Sequence, residues 1–166
     1  MYWLFVLFPW SFYCLNFLYL ILLISLLISS NIFISFHFIS VAITACVNST
    51  VSVPQWSLIP FQDVKTAMGI THIDAFKTSG KFTCERSGVY LIAAFVQSNT
   101  HENGFTITKN NQGIADAFGS LTGEYETATA IVIESVRVND TISIHSRRAM
   151  KIFNSYESCL SILQVL

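Results

Sequence analysis

The sequence predicts an all-β fold, a jelly-roll β-sandwich or a related arrangement of two antiparallel sheets, over the residues that follow Pro54. Two observations carry this. Short runs rich in Val, Ile, Thr, Phe and Tyr are broken at regular intervals by Gly, Asn, Asp and Ser clusters. No stretch of useful length repeats its apolar residues at helical spacing. A third observation narrows the choice: an immunoglobulin-type sandwich needs a core tryptophan between two bridged cysteines, and no Trp lies between Cys84 and Cys159.

Taken in order, strands are expected near 58–66, 80–85, 88–97, 104–109, 113–118, 125–135, 141–146 and 158–165, within a total of about eight to ten. Their connectors "SNTHENG", "NNQG", "GSLTG" and "VNDT" contain the Asn, Asp and Gly that tolerate positive φ in hairpin turns. The strand "GVYLIAAFVQ" is unusual because both faces are apolar. Tyr90, Ile92, Ala94 and Val96 lie on one face, and Val89, Leu91, Ala93 and Phe95 on the other. An antiparallel sandwich buries one face and wets the other, so the second face needs a cover. Leaving Val89, Leu91 and Phe95 wet forgoes roughly 1.5–3 kcal/mol each. The strands near 125–135 and 158–165 repeat the pattern, with Ile131 and Ile133 opposing Ala130 and Val132, and Leu163 and Val165 opposing Leu160 and Ile162. Self-association through Val89, Leu91 and Phe95 is the expected cover.

The chain has 166 residues and a net charge of −1, enough for one ordinary domain plus an appendage and without the basic excess of a nucleic-acid binder. Its charges all lie between Asp63 and Glu157. The N-terminal part, residues 1–46, is an uncharged Phe/Leu/Ile/Ser run, and Trp3 to Ile28 alone exceeds the ~20 residues that span a bilayer as a helix. Three readings are ranked. First is a secretory signal cleaved near "VAITAC", where Ala42, Thr44 and Ala45 resemble a signal-peptidase site. Second is translated non-coding DNA from a mispredicted start, and third an uncleaved anchor. Two sequons, "NST" at Asn48 and "NDT" at Asn139, become glycosylation sites if the chain is exported. Cys14 and Cys46 fall in the apolar run and Cys84 and Cys159 in the globular part, where two thiols are free to pair in an oxidising compartment.

The blocks "FQDVKTAMGI", "GKFTCERSGVYLIAAFV", "YETATAIVIESVRVNDTISI" and "SYESCLSILQV" resemble, in order and spacing, the globular head of complement C1q over about residues 56–166. The single-domain members of molluscs and other invertebrates are the nearest in feel. The family pattern falls on Phe61, Phe76, Gly80, Phe82, Gly88 and Tyr90. The resemblance implies the jelly roll shared with tumour necrosis factor and a homotrimer around a three-fold axis. Family domains open with a strand of the type Ala-Phe-Ser-Ala, for which "NSTVSV" at 48–53 is the only candidate. Residues 47–55 therefore read as a linker or degenerate first strand. Some family members bridge the "FTC" cysteine to the strand two further on, here "GFTITKN", which has none, so Cys84 and Cys159 are expected free. No collagen-like repeat precedes the domain.

No catalytic constellation is present. "GSLTG" has Leu121 where a nucleophile elbow needs serine, and His72, His101 and His145 are scattered. There is no metal-ligand spacing and no cofactor is expected; Asp116, Glu124 and Glu126 are the residues from which a calcium site would have to be built. Arg147, Arg148 and Lys151 form a small basic loop with the charge to meet sulfated glycans or anionic lipid. The resemblance implies a secreted, non-enzymatic, trimeric recognition protein, of a family described as binding microbial surface glycans or lipopolysaccharide in innate defence. The alternative is a membrane-anchored ligand of the tumour-necrosis-factor type, held by residues 3–28.

Overall fold

The computed structural model describes residues 41–119 and 124–165. The apolar run over 1–40 and the centre of "GSLTG" lie outside the described residues. Among the described residues eleven strands and one short helix follow in the order β1 (Ala42–Val47), β2 (Val51–Val53), β3 (Asp63–Met68), α1 (Ile73–Ser79), β4 (Phe82–Thr83), β5 (Gly88–Ser98), β6 (Gly104–Lys109), β7 (Gln112–Phe118), β8 (Glu126–Val136), β9 (Thr141–Ser146), β10 (Met150–Ile152) and β11 (Ser155–Gln164).

All pairings are antiparallel. The larger sheet runs β3, β1, β11, β5, β8, and the smaller runs β4, β9, β6, β7. Strand β8 occupies one whole edge of β5, from Gly88 to Ser98. The bridge from Ile152 to Ser98 therefore puts β10 on the other edge, in the lane of β11, with β2 beside it. Alternation explains the core. Ile43, Ala45 and Val47 of β1, Tyr90, Ile92, Ala94 and Val96 of β5, and Leu160 and Ile162 of β11 are buried against Phe105, Ile107, Ile142 and Ile144 of the smaller sheet. Lys109 on β6 reaches Glu134 and the Ser135 carbonyl on β8, which ties the two sheets at one edge.

The structure corrects three expectations. Domain onset is the first: "AITACV" is not a terminus to be trimmed but strand β1, flanked on both edges by β11 and β3. The fold therefore includes Ala42–Val47 and does not start at Trp56. Cleavage at "VAITAC" would cut this strand, and the stretch assigned to a linker contains β2. The second concerns cysteine. Cys46 and Cys159 are directly opposed on β1 and β11 and form a disulfide, so Cys159 is not free. Cys84 is free and buried. Third, the segment before Gly80 is helical over seven residues although it shows no apolar period. The strand expected over 58–66 is correspondingly later and shorter, with Leu58 contributing an isolated bridge to His145.

Two local devices replace periodicity in α1. Gly80 adopts φ +68° and returns its N–H to the Phe76 carbonyl at 2.7 Å, a left-handed helix stop that a Cβ would strain. At the other end the Glu85 carboxylate accepts the Thr71 and His72 backbone N–H groups at 2.9 and 2.8 Å, together with the Thr71 hydroxyl. Burial alone would push this carboxyl up, but those hydrogen bonds outweigh it and hold Glu85 down at about 2. A carboxylate depressed in the folded state stabilises above its unfolded value, near 4.5, and the contribution disappears as pH falls towards 2. Substituting Glu85→Gln is expected to cost about 1–2 kcal/mol at pH 7 and to flatten the acid limb. Urea midpoints measured from pH 6 to pH 3 check both.

Candidate functional site: an apolar sheet face

The outer face of the larger sheet is the side of β5 that needed a cover. Register places Leu91 between Ile133 and Leu163, and Leu163 beside Ala42, which in turn faces Met68. One apolar row thus crosses five strands. Ala93 and Ile131 form the next row, and Phe95 lies beyond them opposite Thr129 and Cys159. Ile131 and Ile133 are 65% and 64% exposed and Met68 is 58% exposed, whereas Val89, Leu91 and Phe95 are half-buried between their neighbours. The three predicted interface residues therefore share one patch. Strand β8 supplies its two most exposed side chains, Ile131 and Ile133. A contiguous apolar face of this kind marks an interaction surface.

The Cys46–Cys159 bridge lies on this same outer face and is nonetheless buried, next in register to Phe95. It joins β1 to β11, the first and last strands described, through cysteines 113 positions apart. Sequence reasoning missed it because Cys46 was counted with the apolar run. A usable signal was present, since Cys46 sits on the opposite side of "AITACV" from the aliphatic Ile43, Ala45 and Val47.

Residues of the family pattern gather on the inner side. Phe61, Phe76, Phe82 and Tyr90 are all buried, and the Phe82 and Tyr90 rings are tilted at 6.2 Å. Tyr90 gives its hydroxyl proton to the Arg86 carbonyl at 2.6 Å. Its burial, and then its contact with the Cys84 thiol, push the phenol well above its ordinary range. Cys84 also donates to the Arg86 carbonyl, at 2.9 Å. This chemistry fixes a turn. Gly88, unlike Gly80, needs no left-handed backbone and simply opens β5.

Both sequon asparagines are exposed, Asn48 in the bend after β1 and Asn139 in the β8–β9 turn at φ +71°. No group of three or more His, Cys, Asp or Glu among the described residues is placed to hold a metal ion. Asp116 is instead held below the ordinary carboxylate range, first by the Thr106 hydroxyl at 2.5 Å and then by Arg147 at 2.7 Å. No helix among the described residues is long and apolar enough to cross a membrane.

Similarity to known proteins is confined to structure. No protein-family model and no curated protein matches the sequence. Among solved structures the chain is similar to the globular domain of zebrafish complement 1qA, with a TM-score of 0.63 at 14% identity over 76% of this chain and 98% of that one. It is also similar to murine APRIL, with a TM-score of 0.60 at 14% identity over 76% and 99% of the two chains. The Eiger TNF from S. frugiperda gives a TM-score of 0.60 at 9% identity over 77% and 92%. The fold is the two-sheet jelly roll that these C1q and tumour-necrosis-factor-type structures share. At these identities the likeness speaks for the fold alone.

Proposed function

We propose that the protein is a secreted, non-enzymatic homotrimer that recognises surface glycans, lipopolysaccharide or similar ligands, its strands assembling and its loops binding. The observation that carries it is the apolar row from Ile133 through Leu91 and Leu163 to Met68, a face with no cover among the described residues. A second copy of the same face region, repeated about a three-fold axis, would remove these side chains from water. The Cys46–Cys159 disulfide supports export, because such bonds persist in oxidising compartments. The exposed sequons at Asn48 and Asn139 are then available for glycosylation. A leader would have to be cleaved before Val41, since β1 begins at Ala42. The reading includes a likeness to the invertebrate single-domain C1q-type proteins, supported by the resemblance at Phe61, Phe76, Gly80, Phe82, Gly88 and Tyr90.

The second reading is a membrane-anchored trimeric ligand for a host receptor. It is favoured by the uncharged stretch from Trp3 to Ile28 and by a structural likeness to tumour-necrosis-factor-type chains, at a TM-score of 0.60, near the 0.63 of the C1q-type domain. Expression of the full chain in a eukaryotic secretory host separates the two. The first reading predicts trimer in the medium with a new N-terminus before Val41, and retention on the mammalian or bacterial glycans of an array. Intact chain confined to detergent-extracted membranes, with no glycan retained, contradicts it and favours the anchored ligand.

A further inference from the structure

The loops at the β6–β7 end of the smaller sheet enclose a cleft of about 470 Å³, well apart in composition from the assembly face. Trp56 and Phe118 form its walls, and both are mostly exposed, at 57% and 66%. Arg147 holds the two rings in place. Its guanidinium carbon lies 4.6 Å from the Phe118 centroid and 5.6 Å from that of Trp56.

Trp56 is held in a conformation that a bulky side chain rarely adopts, with φ +58°. Its N–H is fixed to the Ser146 carbonyl at 2.8 Å, while the Ser146 hydroxyl donates to the Pro54 carbonyl at 2.6 Å and accepts from the Ser57 N–H at 3.1 Å. The fold thus spends backbone strain on an indole that it leaves in solvent. Beneath the walls, Asn103 is 2% exposed and contributes to the cleft, and its Nδ2 has no hydrogen-bond partner among the described residues. A buried amide donor without an acceptor is costly, and the cost is removed when an acceptor arrives. Gly119 is needed for this placement, because a Cβ there would come within 2.1 Å of Asn103 Oδ1.

Charge decides the class of ligand. Arg147 pairs with Asp116, and Arg148 pairs with Glu102. Two of the three cations of the expected basic loop are therefore paired with carboxylates where they stand, and the third, Lys151, does not line the cleft, which disfavours a sulfated or otherwise anionic partner. Two largely exposed aromatic rings, planar polar side chains and arginines already paired with carboxylates match a ring that is apolar on its C–H face and hydroxylated at its edge.

We propose that this cleft binds a neutral sugar ring, stacked on Trp56 and Phe118, with a hydroxyl accepting from the Asn103 carboxamide. The assignment rests on the reading of the protein as a glycan-recognition module and names the part of it that recognises. The test uses full chain from a secretory host on an array of neutral, sialylated and sulfated oligosaccharides, followed by solution titration of the neutral ligand retained best. Trp56→Asn removes the indole and relieves the backbone, because asparagine tolerates positive φ. It is expected to bind at least tenfold more weakly than wild type with an undiminished melting temperature. Phe118→Ser is expected to do the same, and Asn103→Ala to weaken binding without lowering the melting temperature. Tryptophan emission should change on titration in wild type and not in Trp56→Asn. Wild-type affinity in Trp56→Asn would overturn the cleft while leaving glycan recognition standing. Retention of sialylated or sulfated ligands alone would overturn the neutral class. An array on which nothing is retained would overturn both the cleft and the recognition reading.

Discussion

Replacing Cys46 with serine is expected to lower the free energy of unfolding by about 3–5 kcal/mol, the range for loss of a native disulfide that closes a loop of this length. The bridge encloses nearly the whole described fold, its cysteines 113 positions apart, so it restricts the unfolded chain more than a short-range bond would. It also joins β1 to β11, the pairing that places β1 inside the larger sheet with β3 on its other edge. Reductant should bring wild type to the stability of Cys46→Ser and leave the variant unchanged. Cys84→Ser is the contrasting substitution, since that thiol makes only local contacts to Arg86 and Tyr90. Equal denaturant midpoints for wild type and Cys46→Ser, with Cys46 and Cys159 both open to alkylation after unfolding, would contradict the bond.

The second large effect is on assembly. Ile133 is mostly exposed in the single chain, so Ile133→Glu should cost the folded protomer little. In a three-fold assembly the same change occurs at three places. Forgoing the burial of three isoleucines alone removes about 5–9 kcal/mol of association free energy, before the penalty of placing carboxylates in an apolar contact. Ile133→Glu is therefore expected to be a folded monomer at concentrations where wild type is fully assembled. Circular dichroism should be unchanged while the sedimentation coefficient falls. Thr127→Glu, on β8 at the margin of the row, should leave the mass as it is.

Much of this was legible in the residues, and what was missed has physical reasons. Strands β5, β6, β8 and β9 carry alternation and turn chemistry, and their bounds follow from the pattern to within about one residue. The doubly apolar β5 announced the outer face because a period of two leaves no ambiguity about which side chains share a side. Strand β1 was not legible: "AITACV" is uncharged, joined to an apolar run, and built of the small residues a cleavage site uses. It is a strand because β11 and β3 lie on either side of it, which is tertiary information. Helix α1 was hidden for a related cause, since its ends are held by Gly80 and by Glu85, a residue outside the helix. Trp56 and Asn103 could not have been singled out either. Their interest lies in a positive φ and a missing partner, and neither is written in residue type.

The central claim is that the outer face of the larger sheet is covered by other copies of the chain. Sedimentation equilibrium of the secreted protein across the micromolar range, with the denatured chain as the mass standard, tests it most directly. The account predicts a single species of three chain masses, lost in Ile133→Glu. A single species of one chain mass throughout that range would contradict it.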